Sequence, residues 1–426
     1  MQLSQSLLLA VFFSYGVLSL PHGPSDQHKA RSFKVDRVKR GTGQLHGPTA
    51  LRKAYRKYGI VPSKLGIELE DFEPITTEHT AASAASDDGS EPDQTGAVSA
   101  TSVEGDAEFV SPVVIGGQKI VMTFDTGSSD FWVLDTNLQK TLQGHTEYSP
   151  SNSSTFKEMS GYSFNVSYGD SSYAAGPVGT DVVNIGGAIV KNQAIGVPTE
   201  VSESFIEDTN SNGLVGMGFS SINSIEPKAQ DTFFANVASD LDIPVMTASL
   251  KSDGVGEYGF GMIDKSKYTG GIANISVDSS NGYWQFDTPK YAVGGGEVKD
   301  IGSTNTSIAD TGTSLMLIDD DAVKDYYASV PNSVYVDSVG GYIYPCNTTL
   351  PSFSIALGSE SLATVPGNLL NFSKVGTNTT TGQPLCYGGI QSNSGTSLQI
   401  LGDTFLKAFY VIFDMRGPSL GVAAPK

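Results

Sequence analysis

Cysteine, charge and long hydrophobic runs are all scarce in this chain of 426 residues. Charged residues make up only 17% of it, and 26 Lys and Arg stand against 45 Asp and Glu, a net charge of −19. So acidic a surface repels nucleic acid and anionic membranes, and we expect neither as a partner. No stretch after residue 20 approaches 18 apolar residues, and residues 420–426 carry no hydrophobic tail, so we expect no membrane anchor.

Only two cysteines are present, Cys346 and Cys386, 40 residues apart. In an oxidising compartment they would pair, and the chain-entropy account puts such a disulfide at about 4 kcal/mol. Two free buried thiols are the alternative. An export signal, described next, favours the disulfide.

The first hundred residues have the organisation of an exported precursor. Residues 6–20 form a short apolar run, which predicts a secretory signal peptide over 1–20, with a buried helix as the weaker reading. Residues 21–66 carry a net charge of +9, residues 67–94 a net charge of −9, and residues 95–426 a net charge of −19. We therefore expect a prosegment over 21–95 whose basic arm docks on the acidic body, rather than an arm for nucleic acid.

Two local patterns refine that prosegment. Apolar residues at helical spacing predict a helix over 50–58. Residues 76–106 are rich in Ala, Ser, Thr, Asp and Gly without periodicity, which predicts an exposed linker open to cleavage. We place the start of the mature chain near Thr95 to Val98, and the dibasic pair Lys39-Arg40 is a weaker processing point.

What the chain has in abundance is Gly, Ser, Thr and short strand-like runs with turn residues between them, typical of a mostly β protein. Its length suits two lobes, and 39% hydrophobic residues suffice for sizeable cores. Glycosylation acceptor sequences, which fit a secreted surface, occur at seven positions. They are Asn152, Asn165, Asn274, Asn305, Asn347, Asn371 and Asn378.

A short acidic motif occurs twice, as Asp125-Thr126-Gly127 and as Asp310-Thr311-Gly312. An apolar-apolar-Gly triplet follows each, ending at Gly216, 91 residues after the first Asp, and at Gly402, 92 residues after the second. A lone Asp-Thr-Gly is an ordinary turn. The matched spacing instead indicates an internal repeat and predicts two similar halves.

The repeat also predicts a chemistry. If the halves pack about a pseudo-twofold axis, the two Asp turns meet, and two carboxylates about 3 Å apart share one proton. One is then a base and the other an acid at the same pH. Such a pair activates a water for attack on a peptide carbonyl, so neither a metal nor another cofactor is expected.

On these motifs, the chain from Glu108 to Ala423 resembles the pepsin family, and most closely its secreted fungal members. The resemblance implies an all-β, bilobal pepsin-like fold of two pseudo-twofold-related β-barrel-like lobes. An active-site cleft lies between them, covered by a flap hairpin. We expect the N-terminal lobe at 96–285 and the C-terminal lobe at 286–426. It further implies a monomer that acts on polypeptide substrates and is inhibited by its own prosegment.

The resemblance also assigns roles to individual residues. Asp125 and Asp310 match the catalytic pair, and Gly127 and Gly312 lie in the same two turns. Thr126 and Thr311 match the residues that interlock the two loops, and Ser128 and Thr313 match those whose hydroxyls bind the outer carboxylate oxygens. The other matches are Tyr168, Gly169 and Asp170 of the flap, Trp132 behind it, the disulfide Cys346–Cys386, and Lys57-Tyr58, the prosegment plug.

Several readings remain open from sequence. Trp132 equally suits core packing, and Asp170 could widen a hydrophobic preference at the cleaved position to include Lys. A catalytically silent pepsin-like binding or inhibitor protein is one rival function, and a glycan-rich wall or adhesion protein is another. A vacuolar protease of the same chemistry differs from a secreted one in location alone.

Overall fold

Strands dominate the part of the chain that the computed structural model describes. The described residues are 33–37, 47–58, 60, 97–103, 108–138, 140, 142–168, 172–252, 256–302, 305–359, 361–394 and 396–426. The predicted signal peptide and most of the predicted prosegment lie outside them.

The described residues form 28 strands and five α-helices. The earlier strands are β1 (Phe33–Arg37), β2 (Ala97–Val103), β3 (Glu108–Ile115), β4 (Gln118–Asp125), β5 (Phe131–Val133), β6 (Lys157–Ser167), β7 (Tyr173–Ile185), β8 (Ala188–Gly196), β9 (Glu200–Val201), β10 (Gly213–Gly216), β11 (Val245–Ser249), β12 (Gly256–Phe260) and β13 (Tyr268–Ser276). The later strands are β14 (Gln285–Asp287), β15 (Lys290–Val293), β16 (Lys299–Asp300), β17 (Thr306–Ala309), β18 (Met316–Ile318), β19 (Val334–Val336), β20 (Gly341–Pro345), β21 (Phe353–Leu357), β22 (Ser361–Val365), β23 (Asn371–Thr377), β24 (Pro384–Gly388), β25 (Ile390–Ser392), β26 (Gln399–Leu401), β27 (Tyr410–Asp414) and β28 (Ser419–Pro425). The α-helices are α1 (Gly47–Lys57), α2 (Glu203–Glu207), α3 (Phe233–Val237), α4 (Asp320–Ala328) and α5 (Asp403–Leu406).

One large sheet joins the two halves of the chain. Its path runs from β13 through β28, β27, β11 and β12 to β1 and β2, and then through β3 and β4 to the strands of the first half. Three smaller sheets belong to the second half, of which one holds β14, β17, β26, β18 and β25. This mostly β, two-half architecture confirms the predicted bilobal pepsin-like fold, whereas the lobe boundaries stay a prediction.

The internal repeat appears as two copies of one strand arrangement. β10 runs parallel to β4 and antiparallel to β5, and β26 runs parallel to β17 and antiparallel to β18. The apolar-apolar-Gly triplets are therefore the strands beside the two Asp loops. Val215 lies opposite Phe124, and Leu401 lies opposite Ala309, so the matched spacing in sequence reflects matched pairing.

The predicted helix over 50–58 is present as α1. Its apolar side, Leu51, Ala54 and Tyr55, is buried and packs in a cluster with β17, β18 and β26 residues such as Ile308, Leu317 and Ile400. The Tyr55 hydroxyl also donates to the Ser392 carbonyl at 2.8 Å. The helix is thus fixed on the second half of the molecule by apolar burial rather than by charge alone.

The prediction of a linker over 76–106 is wrong at its end. Residues 97–103 form β2, which pairs in parallel with β1 and antiparallel with β3, and Val103 is buried. The sequence lacks periodicity here because these residues extend a sheet through backbone hydrogen bonds, which need no amphipathic pattern. β1 itself, from the predicted prosegment, was not foreseen, although Phe-Lys-Val-Asp does alternate apolar and polar residues.

Three other expectations concern the surface and the cysteines. A disulfide joins Cys346 and Cys386, as predicted, so the free-thiol alternative is wrong. Of the seven acceptor asparagines, all but the partly buried Asn378 are exposed. Within the described residues, every helix is too short or too polar to cross a membrane.

Candidate active site

The two Asp loops begin at the ends of β4 and β17, where the triplet glycines let the chains pass closely. A Cβ on Gly216 would lie 2.6 Å from the backbone of Ser129 and Asp130, and one on Gly402 would lie 2.2 Å from the Thr313 carbonyl oxygen. Any side chain there would push the loop away from its neighbouring strand. The glycines therefore fix both loops against β10 and β26.

Two threonines lock the loops to each other across the axis. The Thr126 hydroxyl donates to the Ala309 carbonyl at 2.8 Å and accepts from the Thr311 N–H at 3.0 Å. In mirror fashion, the Thr311 hydroxyl donates to the Phe124 carbonyl at 2.8 Å and accepts from the Thr126 N–H at 3.1 Å. All four bonds are buried, so they bring the loops together with little freedom.

The two carboxylates meet at one ammonium group. Lys57 Nζ, at the end of α1, donates to Asp125 Oδ1 at 2.5 Å and to both oxygens of Asp310 at 2.8 Å. The N–H groups of Gly127 and Gly312 donate to the Oδ1 atoms of the Asp in their own loops, each at 2.9 Å. The aspartates are therefore neighbours, aimed at a common point.

The outer oxygens of the pair have different partners. Ser128 Oγ donates to Asp125 Oδ2 at 2.7 Å, as the resemblance implies. Thr313 lies near Asp310 and helps to lower the pKa of that carboxyl, yet its hydroxyl forms no well-aligned hydrogen bond with any described residue. The Tyr58 hydroxyl instead donates to Asp310 Oδ2 at 2.6 Å, so a residue of the predicted prosegment binds the oxygen expected to bind Thr313.

Electrostatics push the pKa values of the two aspartates apart. Burial raises the pKa of Asp125, and the Asp310 charge adds to that rise while Lys57 opposes it. Burial acts to raise the pKa of Asp310 as well, but the Lys57 ammonium and hydrogen bonds to the carboxylate outweigh it and hold that pKa below its usual range. Such a split is expected of two carboxyl groups that hold one proton jointly.

An aromatic cluster forms the wall beside this centre. Trp132 Nε1 donates to the Tyr168 hydroxyl at 3.2 Å, and Phe205 of α2 meets both rings edge-on, with centroids 4.9 Å from Trp132 and 5.5 Å from Tyr168. Tyr168 ends the β6 side of the hairpin, and its N–H donates to the Ser172 carbonyl at 2.8 Å across the turn. The predicted flap residues Gly169 and Asp170 lie outside the described residues.

A charged group lies in the same wall. Lys53 of α1 is 3.4 Å from Glu108 and 3.6 Å from Asp208, and a cavity that Trp132 and Gly312 also line opens beside it. Burial, followed by the Asp208 charge, raises the pKa of Glu108 to about 7, and Lys53 opposes this. The helix α1 thus places two lysines against two pairs of carboxyl groups.

Comparison with protein families matches residues 108–425, which include both Asp loops but not α1, to the eukaryotic aspartyl protease family. The chain belongs to that family. An aspergillopepsin A-like aspartic endopeptidase of Aspergillus fumigatus is 60% identical over 425 residues, 99% of both chains. Aspergillopepsin-1 of Aspergillus flavus is 40% identical over 430 residues, 99% of both chains. Penicillopepsin-1 of Penicillium janthinellum is 44% identical over 329 residues, 77% of this chain and 98% of that one.

These relatives confirm the resemblance and the reaction class. The protein is an aspartic-type endopeptidase, a hydrolase that acts on peptide bonds.

Sequence reasoning missed three contributors to this aspartyl protease site: Lys53, the Glu108–Asp208 pair and Phe205. Phe205 belongs to a five-residue helix with no buried side chain, too short for a readable periodicity. The position of Lys53 could have indicated its place in the site, because it lies one helical turn before Lys57 and on the same side of α1.

Proposed function

We propose that this chain is a secreted, acid-active aspartic endopeptidase, made as a zymogen, in which Asp125 and Asp310 perform the chemistry. The observation that carries the proposal is that both carboxylates contact one ammonium nitrogen, at 2.5 Å and 2.8 Å. A point within hydrogen-bond distance of both groups is where a catalytic water must sit. A water and an ammonium group are of similar size, so Lys57 marks that position.

With the prosegment gone, a water at this point would be activated by the pair. The ionised carboxylate takes a proton from the water, and the resulting hydroxide oxygen attacks the peptide carbonyl carbon. The protonated carboxyl donates its proton to the carbonyl oxygen, which yields a gem-diol. Proton transfer to the peptide nitrogen then breaks the C–N bond and releases an amine and a carboxylic acid. The buried loops hold the two groups in place throughout.

In the zymogen, α1 would block the cleft. Lys57 takes the water's position, Tyr58 covers Asp310, and the apolar side of α1 adds area to the contact. Lys57 depresses the pKa of Asp310 to about 2, so the contribution of this ion pair is complete above the usual Asp value of about 4 and is lost as the pH falls from there toward about 2. Acid therefore weakens docking, the cleft opens, and self-cleavage before β2 follows.

The wall of the cleft favours hydrophobic side chains at the cleaved bond. Trp132, Phe205 and Leu214 line the cavity next to Gly312, and such aromatic surfaces bind apolar groups. The Asp170 carboxylate would accept a basic side chain at the cleaved position, which widens the preference to include Lys. If Asp170→Ala leaves cleavage after Lys unchanged relative to cleavage after Phe or Leu, Asp170 does not play this role.

Export is supported by the apolar N-terminal run and by the exposed acceptor asparagines. We expect the protein in the culture medium of its host, with glycan on some of these sites, and a mature N-terminus near Thr95 to Val98. Glycosidase treatment and N-terminal sequencing of the acid-treated protein measure both. A vacuolar protease, the alternative, would differ from a secreted one in location and would catalyse the same reaction.

Digestion of a denatured protein between about pH 3 and about pH 5, a range set by carboxyl titration, tests the function. Wild type should release new amino termini, and pepstatin or the Asp310→Asn substitution should abolish this release. A folded wild-type chain that cleaves nothing across the range would instead favour the catalytically silent binding protein.

A further inference from the structure

The body of the protein has a single histidine, and both of its ring nitrogens face acceptors. Four of the five histidines lie before residue 80, and His145 is the fifth. It lies in the loop between β5 and β6. Its Nε2 is 2.9 Å from the carbonyl oxygen of Ile206 in α2, and its Nδ1 is 3.2 Å from Oδ1 of Asn212, the residue before β10.

The orientation of the Asn212 amide is fixed by two other contacts. Its Oδ1 accepts from the Thr146 N–H at 2.7 Å, and its Nδ2 donates to the Val121 carbonyl at 2.9 Å. Asn212 Oδ1 therefore faces the ring as an acceptor, and the Ile206 carbonyl oxygen can likewise only accept a hydrogen bond. A neutral imidazole carries one N–H and can satisfy one of these groups, whereas the imidazolium carries two and satisfies both.

The segment that His145 holds supports the flap. α2 has five residues, none of them buried, and the side chain of its N-cap Ser202 makes no capping bond. At its start, Ser202 Oγ accepts from the Tyr173 N–H of β7 at 2.8 Å. Further along, Phe205 packs on Tyr168 and Trp132. So short an element depends on outside contacts for its position.

Charged side chains lie on both of the segments that meet at His145. Carboxylates outnumber ammonium groups on the two segments in contact, and β10 carries no charged residue. The charged residues are Asp135, Lys140 and Glu147 in the loop, and Glu203, Glu207 and Asp208 in or beside α2. Lys140 lies 3.4 Å from Glu203 and donates to the Val201 carbonyl at 3.0 Å, so it ties the same two segments together.

We propose that His145 is a positioning residue that, in its doubly protonated form, fastens α2 to the body of the molecule and so places Phe205 beneath the Tyr168 hairpin. In acid the ring makes both hydrogen bonds, and the wall of the cleft is held in place for substrate. When the ring loses a proton, one of these bonds is lost and α2 loosens. The inference rests on the proposed role of the hairpin in binding substrate.

The test compares KM and kcat of His145→Gln with those of wild type from about pH 4 to about pH 7, the range in which an imidazole titrates. At each pH the KM of His145→Gln is divided by the KM of wild type. This ratio cancels the pH dependence that both enzymes owe to the aspartate pair. We expect the KM ratio to be about tenfold in acid, the size of one charge-assisted hydrogen bond, and to fall toward one near neutrality. The kcat ratio should stay near one.

Glu147→Gln is the matched control, because it neutralises an exposed charge two residues away, and its ratio should be flat. A KM ratio for His145→Gln that is independent of pH, or equal to one throughout, overturns the inference. If that variant fails to fold, nitrogen NMR of the wild-type mature chain decides. A single imidazole with two slowly exchanging N–H protons in acid supports the proposal, and a ring with freely exchanging N–H protons refutes it.

These outcomes are distinct from failure of the proposed function. An inactive wild type would remove the catalytic proposal, yet the imidazole spectrum would still report whether His145 makes both bonds.

Discussion

At the scale of single residues, the two aspartates differ because their neighbours differ. Both accept from Lys57, but Asp125 also accepts from Ser128 in its own loop, whereas Asp310 accepts from Tyr58, which follows α1. On the proposed removal of α1 and Tyr58, Asp125 would keep Ser128, whereas Asp310 would lose Tyr58. The asymmetry of the pair is therefore partly imposed by Tyr58, and Ser128 is the hydroxyl that we expect to remain in the proposed mature enzyme.

Replacing Ser128 by Ala should move the acid limb of the kcat/KM profile to higher pH. The hydroxyl donates to the carboxylate and stabilises its ionised form, so its loss raises the pKa at which the pair gives up its first proton. A hydrogen bond to a charged group corresponds to about one pH unit. A pH–rate profile of the activated variant measures this, with its unfolding midpoint as the check on folding. An acid limb that does not move would show that Ser128 has no part in tuning the pair.

The site residues that the sequence predicted best are those whose motif occurs in both halves of the chain. Asp125, Asp310 and their flanking threonines were recognisable because the same hydrogen bonds serve both halves, so the same residues occur twice. Lys53 and Glu108 meet only because α1 docks, and a docking geometry leaves no local pattern in sequence. Tyr58 was foreseen as part of a plug, but its bond to Asp310 was not.

At the scale of elements, the buried contact between the two Asp loops is a pair of reciprocal threonine bonds. Each hydroxyl lies between a carbonyl and an N–H of the opposite half. Water is excluded there, so a missing hydroxyl leaves both backbone groups unpaired. These bonds should contribute to stability and to the distance between the carboxylates at once.

Thr311→Val, which keeps the shape and removes the hydroxyl, should lower the free energy of unfolding by about 2 to 4 kcal/mol, because two buried backbone groups lose their partner. Denaturant unfolding of the activated enzyme measures it, and kcat should fall as well. Thr404→Val is the matched control, since it removes a buried bond to the Ser314 carbonyl and should leave kcat nearly unchanged. Equal effects of the two substitutions on kcat would contradict the role given to the reciprocal bonds.

The sequence predicted elements well where a side chain carried the information. The helix over 50–58 followed from apolar spacing, and the repeat singled out the triplets that the structure shows as β10 and β26. β2 was taken for a linker because its place in the sheet depends on backbone pairing with β1 and β3. No side-chain pattern in residues 97–103 encodes that pairing.

At the scale of the whole molecule, charge separation along the chain corresponds to a physical contact. The basic segment predicted to dock on the acidic body supplies Lys53 and Lys57, and each meets two carboxyl groups. The two contacts differ in exposure: the Lys53 side chain is 47% exposed and that of Lys57 is 9% exposed. Solvent screens the first far more than the second.

Lys57→Met should therefore convert to the mature form at a higher pH than wild type does. Removal of the ammonium leaves two buried carboxyl groups without their cation, so docking is weakened above the usual Asp pKa of about 4 and acid is no longer needed to weaken it. Gel mobility against time over a pH series measures the conversion. Lys53→Met, the matched control, should shift the conversion much less, and an equal or larger shift would contradict this ranking.

The joint action of Asp125 and Asp310 is tested most directly by a double-mutant cycle on the activated enzyme. Asp125→Asn, Asp310→Asn and the double variant are compared with wild type in kcat/KM on one peptide in acid. Two groups that hold one proton and act as a unit should each lose at least about a thousandfold, and the double variant should lose no more than either single one. Substantial activity in either single variant, or losses that multiply in the double variant, would contradict the account.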